Sequence, residues 1–163
     1  MPVSSLTARF KFALALLILA VCTAPAQANP PEVLKQWNGD HIQWLGYDAA
    51  ARKARETDKR MLVVFYTTWC PHCARYRKQF FDPRISALSK KLVMVLVDRD
   101  TQPGINKRYD RFGRYIPRTM VLDPQARLLP EIRGPHPEYP FFLNTNDPGD
   151  LLRVMTRAAG QSG

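Results

Sequence analysis

The sequence predicts an α/β fold in which helices cover both faces of a central mixed β-sheet. Three observations carry this. Met61–Tyr66 and Leu92–Val97 are continuous apolar, β-rich runs, the pattern of strands buried on both faces. Helix-forming segments alternate with them, as in layered α/β architectures. The first run leads through Thr67-Thr68-Trp69 straight into Cys70-Pro71, and proline suits a first helical turn, where its missing N–H has no partner to lose.

The elements follow in order. Asn29 to Lys35 reads as a Pro-containing leader lying loosely on the surface, and Asp40 to Trp44 as a short edge strand. Asp48 is a candidate N-cap for an Ala-rich helix through Glu56. After strand 61–66, a helix runs from Cys70-Pro71 to about Phe81. Asp82-Pro83 stops it and caps a second short helix over Ile85 to Ser89. Leu92 to Val97 is the next strand. Gly104 to Phe112 is helical, with Ile105, Tyr109 and Phe112 at helical spacing. Arg118 to Leu122 is a strand, Asp123 to Ala126 a turn, and Arg127 to Ile132 a further strand. A Pro-rich loop, Gly134 to Asn146, precedes a last helix over Asp147 to Ala159.

The 163 residues, 45% of them hydrophobic, suffice for one packed domain. Residues 1–28 read as a secretory signal peptide. Arg9 and Lys11 form a basic n-region, Phe12 to Cys22 an apolar run, and Ala26-Gln27-Ala28 a small-residue cleavage site. The run is shorter than the roughly 20 residues that span a bilayer, so stable membrane insertion is not expected. A minor alternative is a lipoprotein anchored through Cys22, against which the bulky Val21 counts. This leaves a leader over 29–38 and a domain over 39–160. Residues 29–163 hold 22 basic and 14 acidic residues, a net charge of +8. The basic residues are scattered, without a run of five, which argues for a solvated surface and against nucleic-acid binding.

Cysteine usage is the sharpest clue. Residues 29–163 contain only Cys70 and Cys73. A bridge closing so short a loop removes little unfolded-state entropy, so the pair points to chemistry. A thiolate is the attacking species in disulfide exchange, and helix N-termini and Cys-X-X-Cys settings lower a cysteine pKa. Cys70, at a helix start, is therefore the expected nucleophile, with a pKa below that of a free cysteine. Cys73, more buried, is the resolving thiol. His72 is a further candidate stabiliser and Trp69 packs beside the site. Zinc is disfavoured, because four ligands are needed and the histidines are only His41, His72 and His136. Ile116-Pro117, after a loop and before a strand, is a position for a cis peptide bond. Arg114 and Arg118 flank it as a substrate-steering or simply solvated pair. Phe65, Tyr66, Phe80 and Phe81 are candidate core, Trp37 and Trp44 pin the N-terminal segment, and His41 and His136 lie on the surface.

Val63 to Phe81, with Trp69-Cys70-Pro71-His72-Cys73, and Tyr115-Ile116-Pro117-Arg118 resemble the thioredoxin superfamily. Gly39-Asp40-His41-Ile42-Gln43-Trp44, Ile85 to Ser89, Leu92 to Val95, Leu122-Asp123-Pro124 and Pro130-Glu131-Ile132 are similar to small secretory members of the anterior-gradient and thioredoxin-domain-containing-12 kind. The resemblance spans about 39–159. It implies a thioredoxin-like fold, a redox-active Cys70–Cys73 disulfide without another cofactor, and Ile116 and a cis Pro117 in a substrate groove facing it. The implied partners are protein thiols and disulfides and a redox partner protein, met by a monomer.

Three departures qualify the resemblance. Gln161-Ser162-Gly163 is no endoplasmic-reticulum retention signal, which with the leader suggests a bacterial periplasmic relative. Pro71-His72 is similar to the dipeptide of the DsbA periplasmic oxidases and suggests an oxidising poise, although the rest of the chain lacks their likeness. Val64 stands where thioredoxin carries a buried acid that helps deprotonate the resolving thiol. The expected function is thus an exported thiol–disulfide oxidoreductase. The alternatives are a non-catalytic binding or chaperone-like module on the same fold, or a periplasmic metal handler using both thiols.

Overall fold

The computed structural model describes residues 29–160. The signal-peptide reading, its cleavage site, Cys22 and the C-terminal tripeptide lie outside them. The elements are α1 (Pro31–Gln36), β1 (Trp44–Leu45), α2 (Tyr47–Thr57), β2 (Met61–Tyr66), α3 (Pro71–Tyr76), α4 (Pro83–Ser89), β3 (Val93–Asp98), α5 (Pro103–Arg108), β4 (Arg118–Leu122) and α6 (Gly149–Ala159). Short 3₁₀ turns extend α3 over Arg77–Phe81 and follow α5 at Asp110–Phe112.

The sheet runs β1-β3-β2-β4. β1 and β2 flank β3 in parallel, Leu62 opposite Met94 and Val64 opposite Leu96. β4 is antiparallel to β2, Val64 opposite Thr119, so the sheet is mixed as predicted. Side chains alternate across a strand, and each run fills two cores. Leu62, Val64, Tyr66, Met94 and Leu96 join one layer with Tyr76 of α3, Ile85 of α4 and Leu151 and Met155 of α6, together with Trp37 just past α1 and Phe80 of the 3₁₀ turn. Met61, Val63, Phe65, Val95 and Val97 face the Ala50, Ala51 and Ala54 side of α2, together with Tyr109. A two-sided core explains why β2 is apolar at every position and β3 from Val93 to Val97.

The N-terminal segment is not loose. Pro31 starts a helix, and Trp37, just past its end, is fully buried against Trp44, Tyr66, Tyr76 and Phe80 in edge-on ring pairs. Asn29 is buried too: its amide donates to the Leu96 carbonyl at 2.7 Å and its oxygen accepts from the Tyr66 hydroxyl at 3.0 Å. The pinning role expected of Trp37 and Trp44 holds, and the Trp44 indole N–H donates to the Trp37 carbonyl at 2.7 Å.

Other elements differ from expectation. The edge strand is only Trp44–Leu45, and α2 begins at Tyr47, with Gly46 rather than Asp48 at its N-cap. Arg127 to Ile132 is not a strand. A single bridge joins Leu128 to Leu122, because the Asp123 carboxylate draws in the N–H groups of Gln125 and Arg127 and tightens the turn, and Pro130 cannot donate to a ladder. The helix expected over 104–112 breaks at Tyr109, whose carbonyl accepts from the Arg118 guanidinium at 3.4 Å. Phe81 is exposed rather than core.

Candidate active site

Tyr66 ends β2, and Thr67-Thr68-Trp69 carries the chain to the start of α3. Cys70 is the N-cap, in extended conformation, with Pro71 at the first helical position. The helical turn brings the Cys73 N–H to 3.2 Å from the Cys70 sulfur, which accepts it. Both cysteines are free thiols, 4% and 2% exposed, so the difference in burial expected between them is slight. Their environments differ more. Burial pushes the Cys73 thiol well above its ordinary pKa, and its hydrogen bond to Cys70 adds to this. The Thr67 backbone and the Arg99 charge pull the other way without overcoming it. Cys73 is thus held as a thiol, and the Cys70 sulfur in front of it accepts the Cys73 N–H.

The Ile116–Pro117 bond is cis, as the resemblance implied, and the Ile116 carbonyl lies 4.0 Å from the Cys70 sulfur. The loop that delivers it turns at Gly113, φ 116°. A Cβ there would collide with the Tyr115 ring, so the turn needs glycine. Tyr115 then accepts the Phe141 N–H at 3.0 Å through its hydroxyl and stacks edge-on with Tyr139 and Phe142.

The remaining expected residues are placed as follows. Trp69 is 65% exposed and donates its indole N–H to Asp100 at 2.7 Å, with Arg99 over its ring at 5.8 Å. His72 is exposed and turns toward Arg75, 2.8 Å from its Nδ1, and toward the Phe142 ring, rather than toward Cys70. Arg114 is exposed and pairs with Asp110. Arg118 is no steering residue. It is fully buried, stacked 4.6 Å over Phe65 and bonded to Asn106. Burial lowers its pKa to about 10, against the pull of Asp110. His41 and His136 are exposed. Among the described residues, no three His, Cys, Asp or Glu side chains gather as metal ligands would.

Residue-level reading missed the wall beside the redox pair. The Pro-rich loop brings Phe142 against His72 and, with His136 and Arg75, lines an open pocket of about 400 Å³. Its signal was the aromatic density of Tyr139-Pro140-Phe141-Phe142 in a segment read only as a loop. In sequence Thr67 reads only as a connector between the strand and the Cys70 helix.

A buried Cys-X-X-Cys at a helix start, facing a cis-proline at the end of a mixed sheet, defines a thioredoxin-type site. Residues 43–124 match the thioredoxin-like family, and the chain belongs to it. Mouse (Mus musculus) anterior gradient protein 3 is 29% identical over 151 residues, covering 88% of each chain. Human (Homo sapiens) anterior gradient protein 2 homolog is 25% identical over 138 residues, covering 83% of this chain and 77% of the relative. In fold, the chain is similar to a thioredoxin from Thermus thermophilus, with a TM-score of 0.59 at 19% identity over 76% of this chain and 91% of that one.

Proposed function

We propose that this protein is an exported thiol–disulfide oxidoreductase that exchanges disulfides with protein substrates through Cys70 and Cys73. The observation that carries the reading is the asymmetry of the pair: the Cys70 sulfur accepts from Cys73 and faces the Ile116 carbonyl, while Cys73 lies behind it as a protonated thiol. Cys70 attacks a substrate disulfide, or is attacked when the pair is oxidised. A mixed disulfide forms, and Cys73 resolves it. The cis Ile116–Pro117 segment offers backbone to an extended substrate across the groove. The Pro71-His72 dipeptide, similar to that of the DsbA oxidases, is what supports an oxidising poise; the potential of the pair against its compartment sets the direction. Residues 1–28, with the pattern of a signal peptide, support export, here taken to be to the periplasm.

Trapping tests this. A Cys73→Ala variant holds partners on Cys70 as mixed disulfides in cells, to be identified by mass spectrometry of the periplasmic fraction. The absence of adducts in cells where Cys70 is intact and reactive toward a small alkylating reagent sinks the enzyme reading. A Cys70→Ser strain with the wild-type phenotype would favour the binding-module alternative.

A further inference from the structure

Resolution requires the buried Cys73 to lose its proton, and Val64, fully buried in β2, supplies no acid for it. Two other features lie beside Cys73. A cavity of about 10 Å³ is lined by Cys73, Thr67, Tyr66 and Trp37, with Gln36 and Arg77 at its rim. A volume of roughly 10–15 Å³ is what one water needs, provided that polar partners surround it. Thr67 is 1% exposed, and its hydroxyl has no protein hydrogen-bond partner. Leaving a buried hydroxyl without a partner is unfavourable, so this arrangement implies an occupant.

We infer that the cavity holds a single water, positioned by the Thr67 hydroxyl against the Cys73 sulfur, through which Cys73 releases its proton during resolution. The inference rests on the exchange chemistry proposed above and assigns Thr67 as a positioning residue. The step balances. The Cys73 S–H proton passes to the water and on to solvent between Gln36 and Arg77, whose side chains bond to each other across the mouth. The Cys73 thiolate attacks the Cys70 sulfur of the mixed disulfide. The Cys70–Cys73 bond forms, the bond to the substrate breaks, and the substrate leaves as a thiolate that takes a proton from solvent. Groups facing Cys73 that also bear on its pH behaviour are Cys70 and Arg99, with Tyr66 and Tyr76 beside it, Asp98 beyond Tyr66 and Asp150 beyond Tyr76.

The test is single-turnover ring closure in the full chain. Cys70 is loaded with glutathione as a mixed disulfide, and glutathione release by Cys73 is followed from pH 6 to 10 in wild type, Thr67→Val and Thr67→Ser. Thr67→Val keeps the shape and removes the orphan hydroxyl, so it folds, which urea denaturation verifies. The expected result is closure about tenfold slower near neutral pH, below the roughly 100-fold of a fully positioned acid or base because Tyr66 still lines the cavity. The rates converge at alkaline pH, where hydroxide takes the proton directly. Alkylation of Cys70 is unchanged, and Thr67→Ser restores closure. Equal closure rates in wild type and Thr67→Val, or a slowing that is uniform across pH, overturn the inference. Failure of wild type to close at all overturns the exchange reading itself.

Discussion

Trp37→Ala tests whether the N-terminal segment belongs to the folded core. The Trp37 ring is fully buried and makes edge-on pairs with Trp44 at 6.2 Å, Tyr66 at 5.2 Å, Tyr76 at 6.4 Å and Phe80 at 5.4 Å. Truncating a buried aromatic to alanine costs about 3–5 kcal/mol, and each aromatic pair contributes about 0.5–1.5 kcal/mol beyond area burial. With four pairs lost at once, the expected loss lies at the upper end, about 4–5 kcal/mol. The backbone carbonyl that accepts from Trp44 survives the substitution, so the loss reports packing alone. For a urea slope of about 2 kcal/mol/M, the unfolding midpoint falls by about 2 M. Equilibrium urea denaturation by circular dichroism measures this, with Lys35→Ala on exposed α1 surface as a control expected to stay within about 0.5 kcal/mol. A loss below about 1 kcal/mol for Trp37→Ala would refute the reasoning and restore the picture of a separable leader.

Two further outcomes can be checked. Burial raises the Asp123 carboxyl pKa, but the Arg127 N–H and guanidinium and the Gln125 N–H outweigh it and hold it below the ordinary value. Stability from such a group is present above the unfolded pKa of about 3.9 and is lost as pH falls through the folded value. Asp123→Asn therefore loses about 1–2 kcal/mol at pH 7, and the gap to wild type closes below about pH 4; a gap independent of pH in urea melts would contradict this. The reduction potential of the Cys70–Cys73 pair, measured against glutathione, is expected at or above about −220 mV, and a value near the roughly −270 mV of thioredoxin would remove the oxidising poise.

The site was legible because its signals are local. Pro71 marks a first helical turn, the Cys pair has its spacing, and β2 and β3 declare two-sided burial through unbroken apolar runs. What escaped depends on distant partners. Arg118 carries a charge that belongs on the surface by residue type, yet Phe65, Asn106 and Tyr109 give it a stacked and bonded seat inside. Trp37 follows a Pro-rich stretch that reads as loop, and only the ring cluster beneath it makes α1 part of the core. Arg127 to Ile132 has strand composition, but Asp123 captures its first N–H and the pairing stops at one bridge. Thr67 is unremarkable in sequence; it gains meaning from the cavity at Cys73.

The small edge strand has a consequence for how this protein behaves in a crowd. Beyond the Met94 and Val95 positions that β1 pairs, the outer rim of β3 continues to the Leu96 carbonyl, which Asn29 takes. On the opposite rim, Thr119 and Asp123 donate to Phe141 and Arg127, and the Val121 carbonyl accepts from Leu129. Apart from the two residues of β1, these main-chain groups on both rims are taken by the chain's own connections, leaving little template for a neighbouring strand to extend. Under the function proposed above, an extended segment held beside Pro117 would meet little sheet margin on which to begin to polymerise.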